Sequence, residues 1–204
     1  MSSSGVLFDR YHHRYSVRGK NVPSVTDILA PLTNLRMVRA EVLHAAAHLG
    51  TAVHKACELD DLGQLDESSV IPALSGYLTA WRRFCADHTA RWMRIESCVY
   101  HEQMGYAGTV DRYGLVDGAP AVVDLKTSAG LPPTIGPQLA AYAKAIPEAS
   151  AGVRRIGVLL KPGGHYLTQD YSSPTDWAVF ASLLTLQNFC QTHRITPYFK
   201  EVSR

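Results

Sequence analysis

The sequence predicts a mixed α/β domain in which helices pack around a small central sheet. Three observations predict it. Helical spacing of apolar residues dominates up to about residue 92 and then gives way to alternating runs. Asp117-Gly118 joins two of those runs, 106–116 and 119–127. Asp-Gly between strand-like segments is the strongest short-range hairpin signal, because both turn positions want positive φ. Beyond the hairpin the pattern reads helix, two strands, helix. A chain of 204 residues with 46% apolar content makes one domain of ordinary size with a real core.

Residues 1–5 are expected to be flexible. Residues 6–22 carry Phe8, Tyr11 and Tyr15 with a turn at Gly19, and read as a hairpin or an extended arm. Residues 23–94 form a helical portion. In it, Ser24 with Asp27 three positions on is a capping-box-like start. Val38, Val42, Leu43, Ala46 and Leu49 recur at helical spacing over 36–59, with Gly50 as a point where that helix kinks or divides. ELDDLGQLDESS reads as a solvated acidic connection. Residues 70–92 set Leu74, Leu78, Trp81 and Phe84 on one side of a second helix.

Residues 95–171 hold the sheet. Strands are predicted at 95–101, 106–116 and 119–127, a helix over 137–146 starting at Pro137, and a strand at 154–161 that PGG turns into HYLTQDY. Residues 172–204 give a last helix, capped by Ser173-Pro174 and running to about 194, followed by a tail.

Composition excludes several classes. There is no run of 18 apolar residues, so no membrane span is expected. MSSSGVLFDR lacks a signal-peptide pattern, and a soluble cytoplasmic protein is expected. The net charge of +2 is too small to argue nucleic-acid binding by itself. Arg10, Arg14, Arg18 and Lys20 nevertheless crowd the N-terminal arm, and Arg36 and Arg39 precede the first long helix. Together they are candidates for phosphate contacts, which salt dependence would reveal. Cys57, Cys85, Cys98 and Cys190 are scattered and read as buried free thiols. His12-His13 reads as part of a solvated strand. LKPGGH, 160–165, lacks the ending of a phosphate-binding loop.

The stretch VVDLKTSAG, 122–130, puts a carboxylate and an ammonium on one face of an otherwise apolar strand. A two-residue turn pairs Val116 with Ala119 and, in the same register, Asp111 with Asp124. Opposed side chains have Cβ atoms about 4.5–5.5 Å apart. Lys126 follows on the same face as Asp124, about 6.6 Å along the strand. Opposed aspartates repel unless one is protonated or a cation lies between them. A divalent cation at about 2.0–2.1 Å from the oxygens removes the conflict. The lysine can then orient a water or stabilise charge on a phosphate.

GTVD (108–111) followed by VVDLKT (122–127) resembles the core of the PD-(D/E)XK nuclease superfamily. GTAVH (50–54), with Glu58 one turn on, resembles the G-x-x-x-H helix motif of its RecB-like branch. PQLAAY (137–142) resembles that branch's Q-x-x-x-Y motif. Glu96 lies upstream of GTVD as an acidic residue does in phage-type members, and PSVTDIL looks like the start of phage-type exonucleases. The resemblance spans 22 to about 170, with Val110 where the superfamily name has proline.

That resemblance implies a restriction-endonuclease-like core and a metal-dependent deoxyribonuclease, an exonuclease of phage or recombination-repair type. It implies Mg²⁺ or Mn²⁺, as one or two ions, held by His54, Asp111, Asp124 and the Leu125 carbonyl. Lys126 would position or activate water, and Gln138 and Tyr142, which share a helix face, would support Lys126 or the DNA phosphate. Glu58 and Glu96 are supporting candidates. Gly50 would let DNA or the sheet approach closely. Iron–sulfur members use three late cysteines, and with only Cys190 here no cluster is expected. DNA ends or single strands are the implied partners, with a single-strand annealing or binding protein as a possible recombination partner. The alternatives are a structure-specific or nicking endonuclease of the same superfamily, and a binding module that keeps the fold without cutting.

Overall fold

The computed structural model describes residues 5–9, 12, 14–33, 38–149 and 152–196. The first four residues, Arg10 and Arg36 lie outside them. The arm is a three-stranded antiparallel sheet: β1 (Val6–Asp9), β2 (Arg14–Val17) and β3 (Lys20–Val22). The third strand forms because Arg18 and Gly19 both adopt positive φ and fold the chain straight back. Tyr15 is buried and docks this sheet on the rest, its hydroxyl 2.7 Å from Thr109 Oγ1. The Pro23 carbonyl accepts the Ala107 N–H at 3.0 Å.

The capping box opens α1 (Val25–Leu29). Ser24 Oγ accepts the Asp27 N–H at 2.9 Å, and the Asp27 carboxylate accepts the Ser24 N–H at 3.4 Å. The helix α2 (Ala40–Asp61) runs unbroken through Gly50, so the expected kink does not occur. Next comes α3 (Pro72–Asp87). The central sheet holds β4 (Arg91–His101), β5 (Tyr106–Val116), β6 (Ala119–Lys126), β7 (Arg154–Leu160) and β8 (Tyr166–Asp170), in sequential order. Every neighbouring pair is antiparallel except β6 and β7, whose parallel pairing requires a crossover, supplied by α4 (Ile135–Ala145). The described chain ends with α5 (Thr175–His193).

Apolar side chains cover both sheet faces. Val25, Val122, Leu139 and Phe180 belong to a core under α1, α4 and α5. Val53, Trp81, Val123 and Leu125 belong to another under α2 and α3. The result is three layers, with helices on both faces of a five-stranded mixed sheet. Among the described residues no helix is long and apolar enough to cross a membrane.

Two further expectations need correction. The strand β4 begins at Arg91, taking the end of the helix predicted to reach residue 92, because Trp92 stacks on Trp81 at 5.5 Å. The acidic stretch is a solvated connection only in part: residues 62–64 and 66–69 are exposed, but its first four residues are not loop. Glu58–Asp61 is the last turn of α2, Asp60 and Glu67 bind the Arg82 guanidinium, and Asp61 turns inward. The cations that hold these carboxylates come from other elements, Arg82 from α3 and Arg112 from β5, so local sequence does not display them.

The hairpin register is the predicted one, from Val116–Ala119 to Arg112–Val123. Asp117 and Gly118 have φ of 52° and 77°. Gly118→Ala should therefore cost about 1 kcal/mol from forcing a Cβ into the left-handed region. Gly130→Ala, where a Cβ meets open space and φ is ordinary, should stay within about 0.5 kcal/mol of wild type. Urea unfolding of both variants checks the contrast.

Candidate metal centre

The backbone register lines up acidic residues across neighbouring strands. Ile95–Arg112 and Ser97–Val110 flank the position where Glu96 faces Asp111. One step past Arg112–Val123, Asp111 faces Asp124. Glu96, Asp111 and Asp124 thus occupy one row over β4, β5 and β6.

The row is irregular, and the irregularity aims the side chains. Gly108 and Val110 face the α4 side: a Cβ on Gly108 would meet the Tyr142 ring at 2.7 Å, and Val110 joins the α1/α4/α5 core. Arg112, two residues on, faces the α2–α3 side instead and stacks on Trp81. Period-two alternation is therefore broken at Asp111. Opposite it, Glu96 has φ of 43°, a left-handed conformation uncommon for a non-glycine residue. The regular β5–β6 pairing ends here, and Asp111 Oδ2 accepts the Leu125 N–H at 2.7 Å in its place. Asp111 and Asp124 share the predicted row, but the Asp111 carboxylate is directed to the backbone of β6 rather than squarely across at Asp124.

Helix α2 adds His54. Its Nε2 lies 3.1 Å from the Leu125 carbonyl. A carbonyl only accepts, so Nε2 carries the hydrogen and Nδ1 is the nitrogen left to face the acids. Nδ1 lies 3.4 Å from Glu96 Oε1 and 3.7 Å from Asp111 Oδ2. Ligand atoms of His54, Glu96 and Asp111 all fall within 4.8 Å of one another. Burial opposes an imidazolium here, but Asp111 and Glu96 outweigh it and hold His54 up at about 9. Without a cation, a proton on Nδ1 fills the same electrostatic need. Two carboxylates and a free imidazole nitrogen suit Mg²⁺ or Mn²⁺, the nitrogen favouring Mn²⁺.

Asp124 has different partners. Its Oδ1 accepts from Gln138 Nε2 at 2.6 Å, and Gln138 Nε2 also lies 3.3 Å from the Tyr142 hydroxyl. Its Oδ2 makes no regular hydrogen bond and is paired with the Lys126 ammonium. Burial raises the Asp124 carboxyl above the usual range, with Lys126 opposing it. Burial also disfavours charge on Lys126, yet Asp124 and Asp111 more than compensate and raise it. Lys126 is thus held as an ammonium. The missing Cβ of Gly108 is what lets Tyr142, and with it α4, lie this close to β5.

Sequence reasoning selected His54, Asp111, Asp124, Lys126, Gln138 and Tyr142, and the fold brings them together. Glu96, expected only in support, stands inside the ligand group. Asp124 stands beside that group rather than in it, and the Leu125 carbonyl serves as the acceptor that sets the His54 tautomer. Glu58 is turned to Lys55 at 2.8 Å. Arg39 is exposed and lies 3.6 Å from Glu41. Gly50 faces Thr127 Oγ1, where an added Cβ would make an ordinary contact at 3.5 Å. Sequence reasoning missed Arg112 and Asp61. Arg112 directly follows the motif aspartate, but nothing local signals that it is buried.

The chain matches no protein-family model, and a search of curated proteins finds no match to it.

Mn²⁺ at a hundred times its dissociation constant should stabilise the fold by about 2.7 kcal/mol. Asp111→Asn keeps an acceptor for the Leu125 N–H and should remove most of that gain. Thermal unfolding with Mn²⁺ and with chelator, without nucleic acid, reads both.

Proposed function

We propose that this protein is a divalent-metal-dependent deoxyribonuclease with a restriction-endonuclease-like core, of the RecB-like PD-(D/E)XK type, acting as an exonuclease. The observation that carries the reading is the convergence of the acidic row with His54 and Lys126. A purely structural sheet has no use for three carboxylates at adjacent positions.

His54 Nδ1, Glu96 and Asp111 are the residues that would hold Mg²⁺ or Mn²⁺. A bound ion would supply Lewis-acid activation of the phosphate and of the attacking water. In the hydrolysis, water gives up a proton as its oxygen bonds to phosphorus, the phosphorus–oxygen ester bond breaks, and the departing oxygen takes up a proton and leaves as a hydroxyl. Lys126, fixed as an ammonium against Asp124, is suited to stabilise charge building on the phosphate oxygens. Gln138 donates to Asp124 and keeps that carboxylate turned to Lys126.

End-labelled linear DNA and covalently closed circular DNA, each with Mg²⁺, Mn²⁺ or chelator, test the reading. Metal-dependent loss of the linear DNA alone is expected. Lys126→Ala should lower the rate by about 10²–10³, and Asp124→Asn should lower it comparably. Cutting of the circle would move the activity to an endonuclease. DNA binding without cleavage would leave a binding module.

Charge distribution supports a DNA contact on the small N-terminal sheet. Among residues 1–22, Arg10, Arg14, Arg18 and Lys20 face a single acid, Asp9, a net +3. The whole chain carries +2, so the remainder is slightly acidic. Arg18 and Lys20 flank the tip of the β2–β3 turn and are exposed. Arg18 meets Glu102 only loosely, at 3.9 Å with both side chains more than 80% exposed. Replacing Arg18 and Lys20 together by Glu should weaken DNA binding and reduce the slope of log K against log salt by about 1–2. The saturated cleavage rate should stay unchanged. A salt titration of binding beside steady-state kinetics checks both parts.

A further inference from the structure

Arg112 is completely buried, and its contacts are unusual for a structural arginine. Nε donates to Asp61 Oδ2 at 2.6 Å. Nη1 donates to Glu96 Oε1 at 3.1 Å and to the Asp111 carbonyl at 2.6 Å. The guanidinium carbon lies 5.3 Å from the centre of the Trp81 ring, and Trp81 Nε1 itself donates to Asp61. Nη2 has no partner among the described residues.

These contacts reach every element that contributes to the cation group. Asp61 is seven residues after His54, two turns along the same face of α2. Glu96 is on β4, and Asp111 directly precedes Arg112 on β5. Glu96 also sits in a left-handed conformation, which is strained for a non-glycine residue and persists only where the surroundings enforce it. The bond from Arg112 Nη1 is a contact able to enforce it.

We infer that Arg112, anchored by Asp61, is a positioning residue that holds the Glu96 carboxylate in the cation-ligating group. The inference rests on the metal-site reading above and extends it to two residues that touch neither cation nor substrate. Without Arg112, Glu96 relaxes out of its left-handed conformation and the group falls to His54 and Asp111.

The test is Mn²⁺ binding by calorimetry or electron paramagnetic resonance, without nucleic acid. The principal variant is Asp61→Asn with Arg112→Met. It removes one negative and one positive charge, so net charge around the site is unchanged, and the asparagine still accepts from Trp81. Replacing a buried ion pair as a unit is far milder than breaking it. Its fold is checked by circular dichroism. Mn²⁺ affinity should fall by about 10–100-fold, the usual effect of removing a residue that orients a metal ligand. Arg112→Lys keeps the charge, but a single ammonium cannot span Asp61 and Glu96, and it should lose about tenfold.

Glu96→Gln supplies the reading that separates positioning from packing. If Arg112 acts through Glu96, the double substitution made on top of Glu96→Gln should cost no further affinity. A folded Asp61→Asn/Arg112→Met protein that binds Mn²⁺ within about twofold of wild type overturns the inference. So does full additivity with Glu96→Gln, or an unchanged Arg112→Lys protein should the double variant not fold. Wild type that binds Mn²⁺ through Glu96 but cuts no DNA would sink the nuclease reading and leave this one standing.

Discussion

Around the middle of the central sheet, the carboxylates of Asp61, Glu96, Asp111 and Asp124 are withdrawn from water close to one another, and three cationic side chains enter with them. Arg112 stands between Asp61 and Glu96, His54 between Glu96 and Asp111, and Lys126 against Asp124. Each cation comes from a different element: β5, α2 and β6. Withdrawing any one of them leaves a buried charge uncompensated, which is far more damaging than removing a surface pair. The docking of α2 on the sheet is therefore fixed by charge as well as by the apolar contacts of Val53 and Cys57.

Proximity of acids is also what makes this part of the fold chemically useful. Burial and then the neighbouring Asp111 carboxylate push the Asp124 carboxyl up, and Asp111 and Glu96 hold His54 protonated against burial. Both shifts express the same unmet demand for positive charge. A proton on His54 meets it in one state and a divalent ion would meet it in another. Asp124 and Asp111 keep Lys126 charged despite its burial, which fits the proposed role of this ammonium.

Much of this was legible before the structure. Asp117-Gly118 names its turn type locally, and the turn fixes which residues stand in a row. Gln138 and Tyr142 are four apart and have to share a helix face. His54 was selected by a helical motif. What stayed hidden has a common physical origin. Asp61 and Arg112 are 51 residues apart, and nothing in either neighbourhood says that the other will arrive. The end of α2 that carries Asp61 consequently reads, from local sequence, as a solvated loop. The positive φ of Glu96 was equally invisible, because glutamate has no preference for it. Periodicity reports which face a residue takes, and it is silent where alternation breaks, as it does at Asp111.

The sequential order of the central strands carries a consequence for how the chain folds. Glu96, Asp111, Arg112, Asp124 and Lys126 lie on one continuous meander, joined by a short turn and a two-residue hairpin. Contacts of short sequence separation close early, because little loop entropy opposes them. The acidic row thus assembles ahead of the helix that supplies His54 and Asp61. During that interval Arg112 is the nearby counter-charge to Glu96, and it has yet to gain Asp61. Docking of α2 then completes both sets of pairs at once and closes the site.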